Sequence, residues 1–243
     1  MREALGATFT IEVGARLRAL VPDMASTSAI VNRALRSSVI PALRDAGFAK
    51  VDARNAWRWH EKFVCVFNVR AVGNYFSSVT GWPPGSVGVW LGVYYSFMPS
   101  ELPVKLDDQG RGLPAEYVCQ VRSHLDRKLD QDAVIARLDN PAERRRKDLW
   151  WIEADGSNAP EVAGDIALAL RERGLPWFSA QFDLAAQLAN LERGRDCFVK
   201  FDVAAFLARE LGDGARLQKY ASLAETEGRR IGKTVDRRAR YGV

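Results

Sequence analysis

Apolar and polar positions alternate most regularly in two stretches, residues 63–71 and 87–97. Both are rich in β-branched and aromatic residues, and a period of two predicts β-strands. In the first, Phe63, Cys65, Phe67, Val69 and Ala71 fall on one face. In the second, Val87, Val89, Leu91, Val93 and Tyr95 form the core face, while Gly88 and Gly92 alternate with Trp90 and Tyr94 on the other. A short strand over residues 56–60 precedes the pair, with Trp57 and Trp59 on one side. Residues 116–124 and 149–154 supply a fourth and a fifth strand. The connection over residues 73–86 reads as a long proline-containing loop with exposed-looking aromatics; such loops often carry function, but a proline-rich loop that merely packs over a sheet edge is commoner.

A period near 3.6 marks the helices. Over residues 27–46, Ile30, Val31, Ala34, Leu35, Val39, Leu43 and Ala46 share a face. Pro41 falls inside and predicts a kink or a split, and Gly47 is the natural stop. Asn158 and Glu161 form a capping box for a helix to residue 173, and Ser179 caps another to about residue 191. Asp202 caps a helix over 203–211 and Asp213 one over 214–230, which predicts an αα-hairpin. The pattern as a whole predicts an α+β fold, an antiparallel sheet of four to five strands packed with helices. That domain occupies residues 24–192. A helical hairpin (193–230) and a basic tail (231–243) follow it, and the last residues are expected to fray. Residues 1–23 read as a peripheral segment, with Met24 as an alternative start.

Composition changes this picture little. Apolar residues make up 47% of the 243 and charged residues 27%, an ordinary globular balance. The longest apolar run is far short of the roughly 20 residues a membrane helix needs. A cytoplasmic protein with no membrane segment is expected. Three cysteines, Cys65, Cys119 and Cys197, lie far apart and read as small buried hydrophobes of a reducing compartment. The only histidines are His60 and His124, which argues against a zinc site. No metal or cofactor is expected. The net charge of +5 is concentrated in residues 214–243, which hold 8 Lys/Arg and 3 Asp/Glu, so the body of the chain is neutral.

The sharpest candidate site is the second face of the sheet. Alternation places Arg58, His60, Asn68, Arg70, Trp90, Tyr94, Arg122 and His124 there. Interleaved basic and aromatic groups bind phosphates and stack on bases. A solvated sheet face needs polar residues in any case, and its tryptophan and tyrosine can simply be covered by residues 149–154. No carboxylate is evidently placed to orient either histidine for acid–base work. The run Arg144, Arg145, Arg146, Lys147 can meet phosphates or form a solvated loop. In the tail, Arg229, Arg230, Lys233, Arg237, Arg238 and Arg240 can contact nucleic acid or an acidic partner. Asp107 and Asp108 lack a third ligand for a divalent cation. Neither Walker, GxGxxG, GxSxG nor HExxH patterns occur, and no catalytic residue is assigned.

The order of several short marks resembles a known family. Asp45-Ala46-Gly47-Phe48 closes a helix. Phe67-Asn68 and Leu91-Gly92-Val93-Tyr94 sit in strands. Pro114-Ala115-Glu116-Tyr117-Val118-Cys119-Gln120-Val121-Arg122, Lys147-Asp148-Leu149-Trp150-Trp151 and Leu175-Pro176-Trp177-Phe178 follow. This resembles the bacterial family catalogued as domain of unknown function 4304, over residues 30–191. The resemblance implies an α+β domain of bacterial origin and implies no activity.

The leading functional reading is a non-enzymatic binding module for a protein partner, in a setting of inter-bacterial conflict or defence. Two alternatives stay open. One is nucleic-acid or phosphorylated-ligand binding through the sheet face. The other is an enzyme acting on a phosphorylated small molecule through His60, His124 and nearby arginines.

Overall fold

The computed structural model describes residues 24–243 apart from residues 53 and 101. The segment expected to be peripheral, residues 1–23, lies outside the described residues. Helix α1 (Met24–Asp45) runs continuously through Pro41. The expected split is absent because Val39, Ala42 and Leu43, on both sides of the proline, are all buried. Burying a Val or Leu side chain is worth about 1.5–3 kcal/mol, which offsets the roughly 3 kcal/mol cost of a proline inside a helix.

The strands are β1 (Lys50–Val51), β2 (Asn55–Trp59), β3 (Phe63–Ala71), β4 (Val87–Tyr95), β5 (Lys105–Leu106), β6 (Gly112–Leu113), β7 (Val121–His124) and β8 (Leu149–Trp150). Six of them form one antiparallel sheet in the order β1-β2-β3-β4-β7, with β8 also paired to β4. Val87 lies opposite Trp150, and Gly88 opposite Leu149. The fold is α+β. The core face expected of β4 is fully buried at Val87, Val89, Leu91, Val93 and Tyr95. β5 and β6 make a separate antiparallel ribbon.

By its contacts the chain divides into two compact units. The first comprises the described residues up to Ala56, Asn68–Trp90 and His124–Arg171. In it α1 packs against α5 (Ala159–Ala169), both contributing buried aliphatic residues such as Val31, Leu35, Val162 and Ile166. The Thr27 hydroxyl ties α1 to the chain before α5 by donating to the Ala154 carbonyl at 2.7 Å. Asn158 does not cap α5. Its side chain instead accepts from the Glu153 amide and donates to the Trp151 carbonyl, each at 2.9 Å, which pins the preceding turn. The expected loop 73–86 contains a short helix, α2 (Asn74–Thr80). Trp82 after it is fully buried with Val72, Ile135, Leu138 and Leu149, and donates to Glu143 Oε2 at 2.9 Å. Two short helices, α3 (Asp132–Ile135) and α4 (Pro141–Arg144), complete this unit.

The second unit comprises Trp57–Phe67, Leu91–Ser123 and Glu172–Val243. Its helices are α6 (Leu175–Ala180), α7 (Leu184–Glu192), α8 (Phe198–Glu210), α9 (Gly214–Arg230) and α10 (Arg237–Tyr241). The predicted hairpin is α8 and α9, which pack on each other and bury Ala204, Ala205, Ala208, Ala221 and Ala224 fully. Asp213 caps α9 as expected, accepting from the Arg216 amide at 2.9 Å. Asp202 is no cap. It lies inside α8 and binds Arg240 and Tyr241. The predicted strand over 116–124 opens as a 3-10 turn (Glu116–Val118) and is extended only at β7. There Cys119 fits over Gly92: a Cβ at residue 92 would come within 2.6 Å of its sulfur.

Candidate functional site

The eight residues expected on one sheet face do not form a single site. In the first unit, strand alternation brings Asn68 and Arg70 of β3 to the same side as Trp90 of β4. Arg70 Nε donates to Asn68 Oδ1 at 2.9 Å, and Asn68 Nδ2 donates to Asn55 Oδ1 at 2.6 Å. Asn55 in turn donates to the Asp52 carboxylate through its amide and its side chain. This relay holds the Arg70 guanidinium 5.4 Å from the Trp90 ring centroid, a cation–π arrangement. The His124 ring meets the same indole edge-on at 5.9 Å. Trp90 is half-buried while Arg70 and His124 are exposed, so the cluster faces solvent with its aromatic member already ordered.

Gly88 explains how β8 approaches so closely beside Trp90. A Cβ there would lie 3.0 Å from Leu149 Cδ2 and 3.2 Å from the Asp148 carbonyl. Asp148 receives Arg146 through Nε at 2.9 Å and Nη2 at 2.5 Å. Burial pushes the Asp148 carboxyl up, but the Arg146 hydrogen bonds and charge, with a smaller contribution from His124, hold it below the usual carboxylate range. His124 Nε2 lies 3.4 Å from Asp126 Oδ1, a carboxylate that the sequence reading did not pair with it. The signal was present, since Asp126 continues the two-residue period from Arg122 and His124. Asn55, at the same period before Trp57 and Trp59, was missed in the same way.

In the second unit, Arg58 and His60 do not share a face with Tyr94. Arg58 Nη2 sits 3.8 Å from Cys65 Sγ, and its guanidinium lies over Phe182 at 5.5 Å. The His60 ring packs against Phe63 at 4.5 Å and Phe182 at 4.7 Å. Burial, and then the neighbouring Arg58 charge, lower the His60 pKa, so the ring is an aromatic packing element. Tyr94 belongs to the opposite face with Trp57, Trp59, Val64, Val66 and Cys119. That face is closed over by the chain from β6 onward. Trp57 donates to the Pro114 carbonyl at 2.9 Å, Trp59 to the Gly112 carbonyl at 2.8 Å, and Arg111 stacks on Trp59 at 3.9 Å. Arg122 approaches the buried Glu116 carboxylate at 3.9 Å.

The basic residues of the C-terminus are built into the second unit. Arg229 pairs with Glu225 and Arg230 with Glu227. Arg237 pairs with Glu225, and Lys233 lies 5.0 Å from the Phe198 ring. Arg240 grips Asp202 at 2.6 and 2.8 Å. Arg238 is exposed. The expected frayed tail is thus a folded segment, anchored by Tyr241, whose side chain is buried and donates to Asp202 at 2.6 Å.

Asp107 is committed to its own turn, accepting from the Gln109 and Arg111 amides and from Arg111 Nε. Among the described residues no group of three His, Cys, Asp or Glu side chains could hold a metal ion. None of the helices formed by the described residues is long and apolar enough to cross a membrane. Burial pushes the Cys65 thiol up to about 11 and raises the Cys119 thiol further, which keeps both in the unreactive protonated form at neutral pH.

The family model described as a domain of unknown function (DUF4304) matches residues 39–180, more than half of the chain. The match spans Asn68, Arg70, Trp90, His124 and the basic run at 144–147. No curated protein and no solved structure matches the chain.

Proposed function

The chain belongs to the domain of unknown function (DUF4304) family, and from that premise we propose that it is a binding module whose contact surface for a protein partner is the Arg70–Trp90–His124 face. The observation that carries this reading is the half-buried Trp90 indole, held by the exposed Arg70 at 5.4 Å and the exposed His124 at 5.9 Å. Tryptophan and arginine dominate interface hot spots because they bury large area and make directional contacts together. Side chains ordered before contact lose little further entropy on binding. Arg70 beside an indole suits a partner segment with a carboxylate next to an apolar side chain.

The purified chain, used as bait in lysate of its source organism, is expected to retain a specific protein. Trp90→Ala and Arg70→Glu should each weaken that complex at least tenfold, and Arg70→Glu, at an exposed position, should do so with thermal unfolding little changed. Arg70 is exposed, so loss of the complex on its substitution is separable from loss of the fold. A complex formed equally well by both variants would refute the reading.

A further inference from the structure

The basic run at residues 144–147 plays no part in that surface, and the fold separates its four cations. Arg146 turns inward to Asp148 and Glu143. Arg144, Arg145 and Lys147 instead line a cleft of about 480 Å³ together with Arg127, Asp132, Ile135 and Ala136. All of these belong to the first unit.

Arg127 anchors the cleft. Its side chain is only 5% exposed. Its amide donates to the Lys147 carbonyl at 2.7 Å, and its guanidinium donates to the Arg146 carbonyl and to Asp132 Oδ1. Arg144, at the end of α4, is held through Nε by the Leu138 carbonyl at 2.5 Å and through Nη2 by the Asp139 carbonyl at 3.4 Å. A guanidinium has five N–H donors, so this fixes its plane while donors remain for a ligand. Arg145 and Lys147 are exposed. The lining holds four cations against one carboxylate, and that carboxylate, Asp132, is already engaged by Arg127. Such a local surplus of positive charge, in a chain whose body is neutral, raises the local concentration of anions.

We propose that this cleft binds the phosphate-monoester dianion of a small molecule. Two fixed guanidinium planes match the oxygen geometry of a phosphate, and Lys147 adds a mobile point charge. The volume falls in the range of small-molecule sites, and the buried Ile135 with Ala136 offers an apolar wall to the rest of the ligand. The basic run alone does not distinguish this from a solvated loop. What distinguishes it is the convergence of three of its members on the buried Arg127.

The test uses the full chain, with inorganic phosphate and glucose 6-phosphate as probes and glucose and sodium chloride of equal ionic strength as controls. Both phosphates are expected to raise the melting temperature saturably, since a ligand of the native state must stabilise it, and the controls are not. The exposed double substitution Arg145→Glu/Lys147→Glu should weaken binding at least tenfold by calorimetry without changing the melting temperature of the free chain. Arg33→Glu, on the exposed side of α1, should leave binding intact. Equal shifts with phosphate and chloride, or a double variant that binds like the wild type, would overturn the proposal. So would a short single-stranded oligonucleotide that binds more tightly than the monoester and displaces it, which would mark a nucleic-acid backbone site instead.

Discussion

Asp148 is held below the usual carboxylate range even though burial alone would raise it. Its unfolded pKa is near 3.9. With the folded value lower, the contribution of this group to stability is complete above the unfolded value and is lost as pH falls through the folded one. Asp148→Asn should therefore cost about 1–3 kcal/mol at neutral pH, the scale for removing one partner of a charged, partly buried hydrogen bond. The gap between variant and wild type should narrow well below pH 4, as urea unfolding at pH 7 and pH 3 can read. A gap of equal size at both pH values would contradict this account. Gly92 makes a second prediction of the same kind. Its missing Cβ leaves room for Cys119, and Gly92→Ala should cost about 1–3 kcal/mol by overpacking. Adding Cys119→Gly should cost less than the sum of the two single changes, because the double variant relieves the clash.

The elements show what a single sequence can and cannot carry. The alternation in residues 87–95 is visible without a structure because one whole face of β4 is buried and its side chains, Leu91 apart, are β-branched or aromatic. The αα-hairpin was legible from Gly212 and the Asp213 cap. The pairing parity of β2 was not. Shifting that short strand by one residue exchanges Trp57 and Trp59 for Arg58 and His60. Only the acceptors at Gly112 and Pro114, more than 50 positions away, decide which pair faces the chain at β6. The end of the chain was misread for a related reason. Its charge suggests solvation, but the partners of Arg240 and Tyr241 lie in α8, nearly 40 residues upstream. Helix α10 is thus a packed element. Tyr241→Ala should destabilise by about 3–5 kcal/mol, as for other large-to-small changes in a core. It should also speed amide exchange in α8 beyond that in α5. A variant as stable as the wild type would show the terminal helix to be dispensable.

At the scale of the whole molecule, charge tells less than its distribution. The excess of +5 arises in the last 30 residues, yet most of those cations are matched within the second unit. The cations of the 127–147 region are matched less fully, and they gather at one cleft. Of the sheet face anticipated from alternation, Asn68, Arg70, Trp90 and His124 form one partly exposed cluster, and this cluster is the centre of the functional reading. The most direct test is hydroxyl-radical footprinting of the chain alone and in complex with its captured partner. Trp90 and His124 are expected to lose reactivity several-fold in the complex, while Tyr75 and Tyr117, 85% and 61% exposed, keep theirs as internal references. Unchanged reactivity at Trp90 and His124, with protection appearing at Tyr117 instead, would contradict the account.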